Sequence, residues 1–202
     1  MKSLGFPAAA LAVSMSAPTF AGEMASEFVL YDAADKCAVI ATGGGDGDSG
    51  DWESSVCEGW RGFPVLSRFA FGRLFLFFGF PPDGDGPHGR DSFGQPHVFG
   101  PGIEWRIETE GEIHRPVATI HDWKVLGEDG NETEVFVVSR VASLADRSGC
   151  VVGYVVSTGD EQAHDKALAI ADHRAKNFKC GVDKPEIAAG GADLPPLYAE
   201  PR

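Results

Sequence analysis

CVVGYVVSTGDEQAHDKALAIADHRAKNFKCG, residues 150–181, holds a strand, a helix and two cysteines placed to close on each other. Val151, Val152, Tyr154, Val155 and Val156 are β-branched or aromatic and suit a buried strand. Thr158 followed by Glu161 has the spacing of a capping box, which starts a helix near Gly159. Gly181 supplies the left-handed stop, and Lys176 and Lys179 suit the negative helix end. A strand of about eight residues spans roughly 26 Å, and a helix of about 19 residues spans roughly 28 Å. A helix over 159–178 that folds back over its strand therefore returns Cys180 to Cys150. Ala163, Ala167, Ile170, Ala171 and Phe178 form its apolar stripe, while Asp165, Asp172 and Lys176 belong to an outer face. Asp172 and Lys176 are spaced as an i,i+4 pair on that face.

The remaining cysteines, Cys37 and Cys57, complete an even count of four. Three pairings are open; short loops cost less entropy to close and favour Cys37–Cys57 with Cys150–Cys180. No pair has the close spacing of a structural zinc site. Disulfides belong to oxidising compartments, and the N-terminus agrees. Lys2, an apolar run from Leu4 to Met15 and the small residues around Thr19–Ala21 read as a signal peptide over residues 1–21, too short to span a membrane. The expected location is periplasmic or secreted, with one globular domain over 22–181 and a flexible tail over 182–202.

The formal net charge is −13, and loss of residues 1–21 would remove one lysine and no acid. Such a chain excludes nucleic acid and anionic membrane surfaces as partners. It leaves an envelope or extracellular protein, a cation or a neutral small ligand.

Working outward, EFVLY at 27–31 and KCAVIAT at 36–42 read as strands joined by a tight turn, and the Gly/Asp-rich 43–53 reads as loop. FAFGRLFLFFGF at 69–80 is apolar on both alternating faces, as a central strand covered on both sides would be. Residues 81–102 read as a long connection without regular structure. Ile103, Trp105 and Ile107 then alternate with Glu104, Arg106, Glu108 and Glu110, an amphipathic strand with one wet face. Two further strands at 117–126 and 133–143 flank a hairpin turn. The sum is α+β: a mainly antiparallel sheet of six or seven strands covered by one long C-terminal helix.

Candidate chemistry is sparse. In the loop 81–102, Asp83, Asp85, His88, Asp91 and His97 combine carboxylates and imidazoles that would suit a divalent cation, although their spacing matches no established ligand motif. Asp46, Asp48, Asp51 and Glu53 resemble a calcium loop, but Cys57 stands where its bidentate glutamate belongs. There is no nucleophile elbow and no His-Glu-x-x-His. His121 and Asp122 alternate on a strand and point apart, and Ser139, in another strand, could meet His121 across a sheet only by chance. Glu104, Glu108, Glu110 and Glu112 form an acid row of the kind glycosidases use, more simply read as a solvated face. His164 and His173 lie nine residues apart on opposite sides of the helix and cannot share a metal. Trp52, Trp60, Phe63 and Trp105 are candidates for a ligand platform or for the core. These residues favour a non-catalytic exported binding module; a divalent-metal-binding protein and a hydrolase with an unrecognised site are the alternatives.

Overall fold

The computed structural model describes residues 22–33, 35–44, 51–82 and 91–199. The chain runs through β1 (Glu23–Leu30), β2 (Cys37–Gly43), β3 (Trp52–Cys57), β4 (Val65–Ala70), β5 (Arg73–Phe78), β6 (Asp91–Phe93) and β7 (His97–Glu110). It continues through β8 (Ile113–Leu126), β9 (Glu132–Arg140), β10 (Cys150–Val156), α1 (Ala163–Arg174), β11 (Glu186–Ala188) and β12 (Leu197–Ala199). The α+β class holds: the strands are mainly antiparallel, one C-terminal helix is present, and the disulfides are Cys37–Cys57 and Cys150–Cys180.

The strands divide into three sheets: six strands in the order β1-β7-β8-β9-β10-β11, four in the order β2-β3-β4-β5, and the pair β12-β6. The two large sheets face each other. Ile103, Trp105 and Ile107 of β7 pack with Cys57, Val65 and Phe78 of the smaller sheet. Phe93, Trp123, Val125, Val135, Val137 and Tyr154 fill the adjoining end. On the opposite face of the large sheet, α1 packs Ala163, Ala167, Ile170 and Ala171 against Ala118, Ile120, Val138 and Val152. The apolar stripe expected of the helix is the one it buries. Gly153 allows the close approach, since a Cβ there would lie 2.8 Å from Ile170 Cγ2.

Several elements differ from the sequence reading. The apolar run 69–80 is a hairpin, β4 turning into β5 through Phe71 and Gly72, both at positive φ (54° and 69°). Such a turn matches the right-handed strand twist, and phenylalanine in its first position hides it from a search for Asn-Gly or Asp-Gly. Both faces of β5 are nevertheless covered, Phe75 and Phe77 on one and Phe78 on the other. The strands 27–31 and 36–42 are no hairpin: β1 lies in the large sheet and β2 in the small one. β3 begins at Trp52, inside the stretch read as loop. Within 81–102, the segments 91–93 and 97–102 are strand.

The helix starts four residues later than expected. Thr158 does not cap it; the Thr158 hydroxyl accepts the Glu134 N–H at 2.7 Å from the neighbouring strand. After α1, a short 3₁₀ turn over Ala175–Asn177 and Gly181 at φ 81° bring Cys180 back beside Cys150. Residues 182–199 are no free tail. β11 pairs parallel with β10 and β12 pairs with β6, while Gly191 N donates to Thr158 O at 2.7 Å.

Candidate functional site

A groove of about 690 Å³ opens beside the Cys37–Cys57 disulfide, lined by Lys36, Ala38, Val56, Glu58, Phe63 and Pro64 among others. Its shape follows from local sequence. Cys37 opens β2 and Cys57 closes β3, directly opposite in the antiparallel ladder. The chain then turns through Arg61 and Gly62, both at positive φ (44° and 88°). Gly59 is required in this turn, because a Cβ there would meet the Phe63 carbonyl at 2.2 Å. The turn is pinned to β1: Trp60 Nε1 donates to Glu27 at 2.8 Å, and the Arg61 guanidinium meets the other Glu27 oxygen at 3.1 Å. The result is an apolar floor (Ala38, Val56, Pro64) with a mixed charged rim (Asp35, Lys36, Glu58).

The groove runs into the free edge of β2. Among the described residues that strand pairs with β3 alone, and its five central residues are all exposed, including Val39 and Ile40 at 56% and 62%. An edge of this kind offers unpaired backbone donors and acceptors to another strand. The remaining edges differ. β1 carries Glu23 and Glu27, β11 carries Glu186 in a pair with Arg174, and β5 is continued by a bridge from Gly79 to Ala142. β2, CAVIATG, has neither a charge nor a proline.

The proposed cation ligands are only partly placed. Asp83, Asp85 and His88 lie outside the described residues, as do Asp46 and Asp48 of the calcium-like segment. Asp91 opens β6, where burial raises its carboxyl pKa. His97 sits at the start of β7 with its Nδ1–H donating to the Gln95 carbonyl at 2.8 Å and its Nε2 facing Ser92 Oγ at 3.3 Å. Burial and the neighbouring Arg73 charge lower its pKa. Among the described residues, no three His, Cys, Asp or Glu side chains gather in a way that would hold a metal ion.

The Ser92–His97 contact brings a serine hydroxyl to an imidazole, and the sequence reading missed it. Five residues apart, the two are brought together by the turn between β6 and β7. Ser92 is 5% exposed and its hydroxyl donates to the Leu74 carbonyl at 2.7 Å, so its proton is directed away from the imidazole. Ser139 stands opposite Thr119, not His121. The His121 Nε2–H donates to Gly100 O at 3.0 Å in the core, and burial lowers its pKa to about 4.

Glu104 and Glu108 of the acid row belong with Arg106 to a buried polar seam, while Glu110 stays on the wet surface. α1 covers the seam, leaving Glu104, Arg106 and Glu108 between 4% and 8% exposed. Each finds a partner on α1 or on the 3₁₀ turn that follows it: Glu104 with His164 at 2.7 Å, Arg106 with Asp172, and Glu108 with Lys176 at 2.7 Å. Ser26 of β1 also meets Glu104 and Arg106. Asp172 and Lys176 thus serve the sheet, not each other. Glu112 falls outside the row, in the turn between β7 and β8. In the order Ser26–Glu104–His164 the carboxylate lies between hydroxyl and imidazole, so the base of a serine triad has no serine to activate. Of the aromatics, Trp60 and Trp105 belong to the core, Phe63 lines the groove, and Trp52 lies under the Arg68 guanidinium at 4.4 Å.

The chain matches no protein-family model, no curated protein and no solved structure. Function therefore rests on the site. All four cysteines are paired, which fits an oxidising compartment, and among the described residues no helix is long and apolar enough to cross a membrane.

Proposed function

We propose that this protein is an exported, disulfide-locked binding module that takes an extended segment of an envelope or extracellular protein on the free edge of β2. The observation that carries this reading is the contrast between β2 and the other sheet edges: among the described residues, β2 alone is long, exposed and free of charge or proline. Strand addition supplies affinity through main-chain hydrogen bonds and specificity through pockets for alternate side chains. The adjoining groove, with Phe63 and Pro64 on its wall, provides such a pocket. The acidic chain favours basic residues flanking the bound segment.

A photo-crosslinker at Val39, with one at Glu132 as control, tests the reading in an envelope fraction. Adducts at position 39 that disappear in Ile40→Pro support it. Hydrogen exchange on the captured complex should show new protection across 37–43. Capture that is equal at both positions, or unaffected by the proline, overturns it.

A further inference from the structure

The disulfide that borders the groove has a chemistry separate from strand binding. We propose that Cys37–Cys57 is a thiol–disulfide exchange site, in which a small external thiolate enters through the groove and attacks Cys37 Sγ, with Cys57 as the leaving sulfur.

Access selects the sulfur attacked. Cys37 is partly exposed at the groove, whereas Cys57, which also lines it, is 3% exposed. Lys36, next to Cys37, is the nearest cation on a rim that sets Lys36 and Arg61 against Asp35 and Glu58. The leaving sulfur is also provided for. Cys57 Sγ lies 3.9 Å from the Ser67 hydroxyl, and Ser67 in turn meets the buried Tyr31 phenol. The Ser67 O–H, which is shared with the Tyr31 oxygen, would turn towards the sulfur as it takes up negative charge. A better-stabilised leaving thiolate departs faster. Cys37 has a partner in the reduced state as well: its sulfur is 3.6 Å from the Asp32 carbonyl, an acceptor that only a thiol can use. The Ser67 hydroxyl, which also meets Tyr31, and the Asp32 carbonyl, which also accepts the Lys36 N–H at 2.9 Å, therefore stand beside sulfurs that would engage them once reduced. Cys150 and Cys180 are partly exposed as well, and differ in packing against the apolar cluster beneath α1.

The exchange balances in two steps. The external thiolate forms a bond to Cys37 Sγ as the Sγ–Sγ bond breaks, and the electron pair leaves on Cys57 as thiolate, which takes a proton from water. A second thiolate then attacks the external sulfur of the mixed disulfide. Cys37 is released as a thiolate and the co-reactant leaves as its own disulfide, oxidised by two electrons. Reduction would leave β2 held by its ladder to β3 alone.

Reduction of the full chain by graded glutathione, with alkylation and peptide mass analysis, tests the assignment. The expected result is Cys37 and Cys57 labelled at about tenfold lower thiol than Cys150 and Cys180, with the mixed disulfide trapped on Cys37. Ser67→Ala should slow opening by roughly threefold to tenfold while circular dichroism stays unchanged. Simultaneous opening of both bridges, prior opening of Cys150–Cys180, or a mixed disulfide on Cys57 overturns the proposal. Each readout is independent of whether a peptide binds β2.

Discussion

Arg106 on β7 and Asp172 on α1 form a two-pronged pair, Nε to Oδ1 at 2.8 Å and Nη2 to Oδ2 at 2.7 Å, with side chains only 9% and 22% exposed. The planar guanidinium matches a carboxylate edge to edge and fixes the helix against the sheet. Asp172→Ala leaves a buried cation without its partner and should cost about 3–5 kcal/mol. Replacing both, as Arg106→Met with Asp172→Leu, removes the unpaired charge and should recover most of that loss. Urea unfolding of the two variants against the parent checks both the sign and the recovery.

This pair also marks where sequence reading stops. The alternation of Ile103, Trp105 and Ile107 with charged neighbours identifies a strand and its two faces, and the strand–helix–cysteine unit at 150–181 identifies the helix and its disulfide. What alternation does not say is what covers the charged face. A strand whose polar side faces water and one whose polar side faces a charged helix have the same pattern, so Asp172 and Lys176 read as an outer face. The groove was equally hidden. It depends on the pairing of β2 with β3, and β3 (WESSVC) is too short and polar to stand out beside a Gly/Asp-rich stretch.

The Thr158 hydroxyl serves β9 and not the helix, which separates two residues that the sequence couples. Thr158→Val removes the acceptor of the Glu134 N–H and should destabilise the fold by about 1 kcal/mol. In a capping box, loss of Glu161 would cost a similar amount; in this fold Glu161→Ala should change stability by less than about 0.5 kcal/mol. Thermal unfolding of both variants distinguishes the two geometries.

His121 makes the fold acid-sensitive. Burial holds its folded-state pKa at about 4, below the ordinary 6.5 that it regains on unfolding. Between those values the unfolded chain takes up a proton that the folded chain refuses. The stability of the neutral imidazole is complete above pH 6.5 and falls as the pH drops towards 4, by up to about 3 kcal/mol. His97 shifts in the same sense, while the raised carboxyls of Asp91 and Asp122 shift in the other. The informative measurement is therefore a difference. Unfolding free energy against pH for His121→Phe, subtracted from the parent, should isolate a one-proton slope confined to this window.

Gly153 lies where β10 passes under α1, and Ile170 leaves no room for a side chain. A methyl group there would meet Ile170 Cγ2 at 2.8 Å and Cδ1 at 3.1 Å, with the Glu186 carbonyl of β11 at 3.3 Å. Gly153→Ala should therefore lift the helix and cost about 1–3 kcal/mol, the usual range for overpacking a filled core. The strain has one main source, so trimming Ile170 should relieve it. Ile170→Ala alone opens a cavity and costs about 2–5 kcal/mol. The double variant should be more stable than the sum of the two losses predicts, by about 1 kcal/mol or more. A double-mutant cycle measured by urea unfolding gives the coupling directly. Strict additivity would mean that α1 does not rest on β10 at this point.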